Sequence, residues 1–243
     1  MLANAKKIFL DALFPRFCLN CGKEGTMLCA DCFSLIEITC FVFCPFCSRP
    51  TRLFQGGLCP KHRSRHLKGL YFAASYRDKL VKNMITRFKY QPYLKTLAPT
   101  LASLIITHFI KTKNTMIFEN GENSALVPIP LYKSKKRKRG FNQSEVIGRI
   151  VAAYFQVPFL DNVLFKIKKT APQVGLSSQE RADNLKNAFA IKNPAQIAGK
   201  KIFLIDDVFT TGATMEEAAK TLEAAKARSV WGIAVARETL DGN

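Results

Sequence analysis

The chain has 243 residues, enough for one medium domain plus a small appendage, and no apolar stretch in it is long enough to span a bilayer. Its net charge is +19 and unevenly spread: residues 71–150 hold fifteen Lys/Arg against four acids, a local balance of +11. Such a field favours a polyanion, whether nucleic acid, an acidic membrane surface or a polyphosphate substrate, and charge alone does not choose among them.

At the N-terminus Lys6 and Lys7 precede Ile8-Phe9-Leu10, but Asp11 cuts the apolar run and no small-residue cleavage site follows. A signal peptide is therefore not expected. Leu2, Ala5, Phe9, Ala12 and Leu13 instead share one face of a short amphipathic helix within residues 1–17, suited to packing or to contact with a membrane surface.

All eight cysteines fall between positions 18 and 59. They read Cys18-x-x-Cys21, Cys29-x-x-Cys32, Cys44-x-x-Cys47 and Cys59-x-x-His62, with Cys40 left over. Two residues between ligands let one tight knuckle direct both side chains at one ion, and Gly22 frees the backbone to turn after Cys21. Eight ligands suit two structural Zn²⁺ sites. Disulfides are the alternative, and they require an oxidising compartment that no targeting segment supports. Consecutive pairing gives Cys18/Cys21/Cys29/Cys32 and Cys44/Cys47/Cys59/His62; a cross-braced pairing would interleave them. Residues 18–69 are too few to build a sufficient core, so metal would supply the folding energy.

From residue 70 the pattern is that of a larger domain reaching 243. Tyr71–Tyr76 has the aromatic content of a strand. Asp78 opens a helix with Leu80, Val81, Met84, Ile85 and Phe88 inward, broken at Gln91-Pro92. A second helix reaches Lys111, with Pro99 in its first turn, and its His108 reads as a packed or surface residue. Ala125-Leu126-Val127 is a short strand running into Pro128-Ile129-Pro130. The run Lys133-Ser134-Lys135-Lys136-Arg137-Lys138-Arg139 follows, read as a basic loop fit for nucleic acid or a diphosphate. A helix from Ser144 to Phe155 has Val146, Ile147, Ile150 and Val151 as its stripe. Val163–Phe165, Phe189–Ile191 and Val230–Ala236 read as strands. The polar stretch from Thr170 to Asn184 is either a plain surface segment or a mobile cover.

Ile202–Ile205 reads as a buried strand of a parallel sheet, and Glu216–Lys226 as a helix. Between them stand Asp206, Asp207 and the turn Thr210-Thr211-Gly212-Ala213-Thr214. A strand–turn–helix unit points backbone N–H groups at a phosphate, Gly212 permits close approach, and the threonine hydroxyls add donors. Carboxylates at the strand end suit sugar hydroxyls.

This stretch resembles the phosphoribosyl pyrophosphate (PRPP) motif of type I phosphoribosyltransferases. Together with the CxxC pairs, Val127-Pro128-Ile129-Pro130, Arg139-Gly140-Phe141-Asn142-Gln143, Thr170-Ala171-Pro172-Gln173 and Arg181-x-x-Asn184, it resembles the ComF family over Cys18–Arg237. His62, where a cysteine would complete the pairs, is a departure that zinc tolerates. The resemblance implies an α/β fold with a mainly parallel sheet flanked by helices, plus the small zinc-binding segment. Asp206 and Asp207 would hold the ribose 2′- and 3′-hydroxyls, Thr210–Thr214 the 5′-phosphate, and Lys133 and Arg139 the diphosphate with its Mg²⁺. It also implies a role on the cytoplasmic side, near the inner membrane or the DNA-uptake machinery, in handling incoming single-stranded DNA during natural transformation. Lys135, Lys136, Arg137 and Lys138 are the expected nucleic-acid contacts, with Tyr90, Tyr93, Tyr132 and Phe141 as stacking or core aromatics. Two readings stand: a PRPP-binding protein of DNA handling, or an active phosphoribosyltransferase of nucleotide metabolism with no DNA role. A glutamine-dependent amidotransferase is not expected, because Leu2 rather than Cys follows Met1.

Overall fold

The computed structural model describes residues 15–47, 52–53, 57–91, 93–114, 118, 123–170 and 178–238. The expected amphipathic helix lies outside them except for its last three residues, where Phe17 bridges to Glu24. Of the polar stretch from Thr170 to Asn184, residues 171–177 lie outside them too, and from Ser178 it is helix α6 (Ser178–Leu185).

The centre is a six-stranded sheet in the order β2-β1-β3-β8-β7-β4. Its strands are β1 (Val42–Phe43), β2 (Arg52–Leu53), β3 (Leu67–Ser75), β4 (Ser124–Pro128), β7 (Lys201–Phe209) and β8 (Ser229–Arg237). The four strands β3, β8, β7 and β4 are parallel, so their C-terminal ends share one edge. A parallel sheet needs cover on both faces, which explains why β7 and β8 are almost continuously apolar. On one face Phe203, Ile205, Ile233 and Val235 pack against α2 (Lys79–Lys89), α3 (Ala98–Lys111) and α5 (Gln143–Phe155). On the other Ile202, Leu204, Val230 and Ala234 pack against α7 (Ala213–Ala224) and the antiparallel pair β5 (Leu164–Lys166) and β6 (Phe189–Ile191).

The helices start and stop for local reasons. Asp78 Oδ1 accepts from the Leu80 and Val81 amides at the start of α2, a cap worth about 1 kcal/mol. Val81, Met84, Ile85 and Phe88 are then fully buried, each contributing roughly 1.5–3 kcal/mol. The α5 stripe is rotated one position from the expected one: Ile147, Gly148, Val151 and Ala152 are buried. The rotation follows from Gly148, where a Cβ would lie 2.8 Å from both Ile205 and Phe159. The helix therefore rests directly on β7.

Two expectations are corrected here. β7 continues through the acid pair to Phe209, still paired with β8 at Phe209↔Arg237, whereas its pairing with β4 stops at Pro128↔Ile205. The acids thus lie within the strand, where β4 has departed, because Pro128 and Pro130 cannot donate to a ladder. The basic run is also not a loop but a helix, α4 (Lys133–Arg139). Gly140 at φ +80° caps it, returning its N–H to the Lys136 carbonyl. Cations crowded into the last turn suit the negative end of the helix dipole.

The Cys-rich segment adds β1 to the sheet through Phe43↔Leu70, and it contributes Ile36 and Ile38 to the apolar cluster under α2 and α3. Its α1 (Ala30–Ser34) begins at Cys29. His108 is buried on α3 and its Nδ1 donates to the Thr39 carbonyl at 2.6 Å, which ties the segment to the helix layer. Burial, opposed by that hydrogen bond, keeps His108 below its ordinary pKa and so neutral.

Candidate functional site

The acid pair sits at the C-terminal edge of the parallel strands, where open α/β sheets place ligands. Its surroundings come from four elements. Ser144, at the start of α5, donates its hydroxyl to Asp206 Oδ1 at 2.8 Å, and the Asp207 amide donates to the same oxygen at 2.9 Å. Asp207 is only 4% exposed and pairs with Lys89 of α2, Nζ to Oδ1 2.8 Å. Burial and then the Asp207 charge push Asp206 up to about 7, against the opposing influence of Lys89 and the Ser144 hydrogen bond. Burial by itself would lower the Lys89 ammonium; Asp207 and Asp206 more than offset this and hold it above the ordinary lysine value.

Three further cations lie within electrostatic reach of the pair. Lys135 of α4 is depressed by burial and by its neighbours Arg139 and Lys89, with Asp207 and Asp206 opposing. Lys166 of β5 is brought down to about 8 by burial and by Lys135, with Asp206 opposing. Arg139 likewise feels Asp207 and Asp206. Four cations around two carboxylates make a site with surplus positive charge, suited to a polyanion that also carries hydroxyl donors.

The turn from Thr210 to Thr214 closes the other side. Gly212 adopts φ +82° and caps α7, and a Cβ there would lie 2.5 Å from Phe209 Cζ. No other residue fits this turn without strain. Thr210, Thr211, Ala213 and Thr214 are each partly exposed, and the Thr211 hydroxyl accepts from the Ala213 amide. The first amides of α7 have no carbonyl of a preceding helical turn to bond, so they face the turn.

The structure therefore gathers Asp206, Asp207, the threonine turn and Arg139 in one place, but sets Lys133 on the exposed side of α4. Lys136, Arg137 and Lys138 are also exposed, with Lys136 pairing Glu145 at 2.9 Å. Lys135 is exposed as well, and among these lysines it is the one that Asp207 and Asp206 influence electrostatically. Of the four aromatics, Tyr90 is 57% exposed whereas Phe141 is buried against Phe88. The motif residues after Gly140 have local work: Asn142 donates to the Ile129 carbonyl and caps α5 at Ser144, which fixes the height of Ser144 over Asp206. Lys89, Ser144 and Lys166 carry no signal in the sequence that distinguishes them from other lysines and serines.

The cysteines assemble as two consecutive sets. Cys18, Cys21, Cys29 and Cys32 converge, as do Cys44, Cys47, Cys59 and His62, each with all ligand atoms within 4.8 Å of one another. All eight cysteines are free, and Cys40 donates to the Ile38 carbonyl instead of joining a set. A tetrahedral zinc site with bonds of about 2.3 Å has ligand edges of about 3.8 Å. The spacings here are 3.6 Å for Cys21–Cys29, 3.5 Å for Cys47–Cys59 and 3.3–3.6 Å from His62 Nδ1 to its three sulfurs. The Cys29 and Cys32 amides and the Asn20 side chain also donate to sulfur, as suits thiolates. Both sets can hold a metal ion.

A parallel sheet carrying an acid pair and a threonine turn at its C-terminal edge defines a phosphoribosyl transferase domain, and that domain family matches residues 142–239. Competence protein F of Haemophilus influenzae is 31% identical over 221 residues, covering 89% of this chain and 93% of that protein. Competence protein ComFC of Streptococcus pneumoniae is 30% identical over 210 residues, 86% of each chain. DNA utilization protein YhgH of Escherichia coli is 28% identical over 222 residues, 84% of this chain and 95% of its own. The chain belongs to the ComF family of competence proteins. Among the described residues, no helix is long and apolar enough to cross a membrane.

Proposed function

We propose that this protein binds PRPP at the acid pair and handles single-stranded DNA in natural transformation, on the cytoplasmic side where its thiols stay reduced. One observation carries the ligand reading: surplus cations surround two carboxylates beside a strand–turn–helix phosphate cradle. The cations answer the 5′-phosphate and the diphosphate, which travels with Mg²⁺, and the carboxylates answer the ribose hydroxyls. Asp206 is the first contact for a hydroxyl, since Asp207 is committed to Lys89 until phosphate draws that lysine away. Thr210–Thr214 and the α7 amides take the 5′-phosphate, and Arg139 with Lys135 and Lys166 takes the diphosphate.

The DNA reading rests on the family and on charge. Relatives are named for competence and for DNA utilization, and α4 turns Lys136, Arg137 and Lys138 outward. The two cysteine sets would hold Zn²⁺ as structural ions, which adds folding energy to a segment too small to build a sufficient core of its own.

Calorimetric titration with PRPP and Mg²⁺ tests the ligand reading. Wild-type protein should bind, and Asp206→Asn should weaken binding by about 10- to 100-fold, the worth of a hydrogen bond to a charged group. Equal affinity in the two proteins would show that the ligand sits elsewhere.

A further inference from the structure

The second cysteine set lies against the phosphate turn, and the contact is made by a side chain from inside the knuckle. Phe46 stands between the ligands Cys44 and Cys47. One side of its ring meets His62, centroids 5.8 Å apart, and the Arg65 guanidinium lies 4.9 Å from its centroid. Its edge meets Gly212: a Cβ on that glycine would lie 3.1 Å from Phe46 Cε1. The knuckle backbone is clamped as well. Arg237 is 6% exposed, is in register with Phe209 at the end of β8, and donates to the carbonyls of Pro45 at 3.2 Å and Cys47 at 3.1 Å. On its other flank the turn's helix grips the same segment. Glu216 in the first turn of α7 accepts the His66 and Leu67 amides at 3.0 and 2.9 Å, and Glu223 pairs with His66 and Lys68.

The residues from Thr210 to Glu216 are thus bracketed by the segment that carries the ligands. The turn's glycine has no side chain to pack and is covered by two rings: Phe209 from within β7, whose Cζ would lie 2.5 Å from a Cβ there, and Phe46 from the knuckle. We infer that Phe46 is a positioning residue: the Cys44/Cys47/Cys59/His62 set, when it holds a metal, presses this ring onto Gly212 and so keeps the phosphate turn in its binding geometry. Metal loss at this set frees the knuckle, withdraws Phe46 and loosens the turn. The ligand consequence rests on the PRPP reading; the mechanical coupling does not.

Hydrogen exchange on the full-length protein tests the coupling without any ligand. In zinc-loaded wild-type protein the amides from Thr211 to Glu216 should be protected, and chelation should speed their exchange by about tenfold or more beyond any change in α5. Phe46→Ala should reproduce that loosening with metal still bound, as counted by a chromogenic zinc assay, and chelation should then add nothing at the turn. Phe46→Leu, which keeps most of the apolar volume, should restore protection. Should Phe46→Ala fail to fold, Arg237→Lys releases the clamp on Pro45 and Cys47 and should give a partial loosening. Wild-type protection in a zinc-bound Phe46→Ala or Arg237→Lys protein would overturn the inference, as would equal effects of chelation with and without the ring. PRPP affinity should fall in step with turn protection. If the exchange coupling holds but wild-type protein binds no PRPP, the ligand reading fails and the coupling stands.

Discussion

Lys89 Nζ lies 2.8 Å from Asp207 Oδ1, so the counterion of the acid pair comes from the last residue of α2 and not from the basic helix beside the site. The pair is partly dry: the aspartate side chain is 6% exposed and the lysine 21%. Removing one partner of a buried pair costs roughly 3–5 kcal/mol, and the residual exposure of Lys89 brings the expectation down to about 1–3 kcal/mol. Lys89→Met should lower stability to urea by that amount. Combining it with Asp207→Asn should recover most of the loss, and simple additivity in the double-mutant cycle would show that the two side chains do not interact.

Asp206 should set the pH dependence of PRPP binding. Its pKa of about 7 in the free protein should fall when sugar hydroxyls donate to it, so binding releases a proton there and affinity should rise as pH increases through 7. Below that range affinity should drop by at most tenfold per pH unit from this group. The ligand's own phosphate also titrates, which makes the comparison with Asp206→Asn decisive: that variant should show a flatter profile, and parallel profiles would rule out Asp206 as the titrating group.

Metal at the first set should govern the stability of the whole layer around α3. Cys18, Cys29 and Cys32 are buried together with Leu28, Ile36 and Ile38 in the cluster that α2 and α3 also line. Cys32→Ser should release one equivalent of zinc and destabilise the protein by more than about 4 kcal/mol, since loss of a structural metal belongs to the severe class of changes. Full retention of zinc with an unchanged melting temperature would sink the assignment.

The two sides of α4 should separate in binding assays. Replacing Lys136, Arg137 and Lys138 with alanine should lower affinity for oligo-dT and flatten its salt dependence, by about 0.7 in log–log slope for each phosphate of the single strand that is no longer neutralised. Lys135→Ala and Arg139→Ala should instead weaken PRPP, with little change in the DNA salt slope. A result in which all five positions act alike on both ligands would contradict the division drawn from the geometry.

Much of this site was legible in the chain. The four knuckles follow from two-residue spacing, which constrains the backbone over a few atoms wherever the segment finally packs. The strand, acids, Thr-Thr-Gly-Ala-Thr turn and helix are likewise contiguous, so their chemistry survives in one dimension. Asp78 as a cap and Pro99 in a first turn were readable for the same reason. The helical state of Lys133–Arg139 was harder to read, because six cations in seven residues resemble a solvated loop until the Gly140 cap is seen.

What the sequence determined by itself was local: which residues could ligate a metal, where a phosphate would meet a helix start, and that the sheet would be parallel. Only the tertiary structure decided which of 37 cations face two carboxylates, that Ser144 holds Asp206, and that Phe46 reaches Gly212. Those choices arise from packing between segments far apart in the chain. Gly148 lets α5 rest on β7, the prolines end the β4 ladder early, and Arg237 joins the sheet end to a metal knuckle. Nothing in a lysine's immediate neighbours records which distant strand its ammonium will meet.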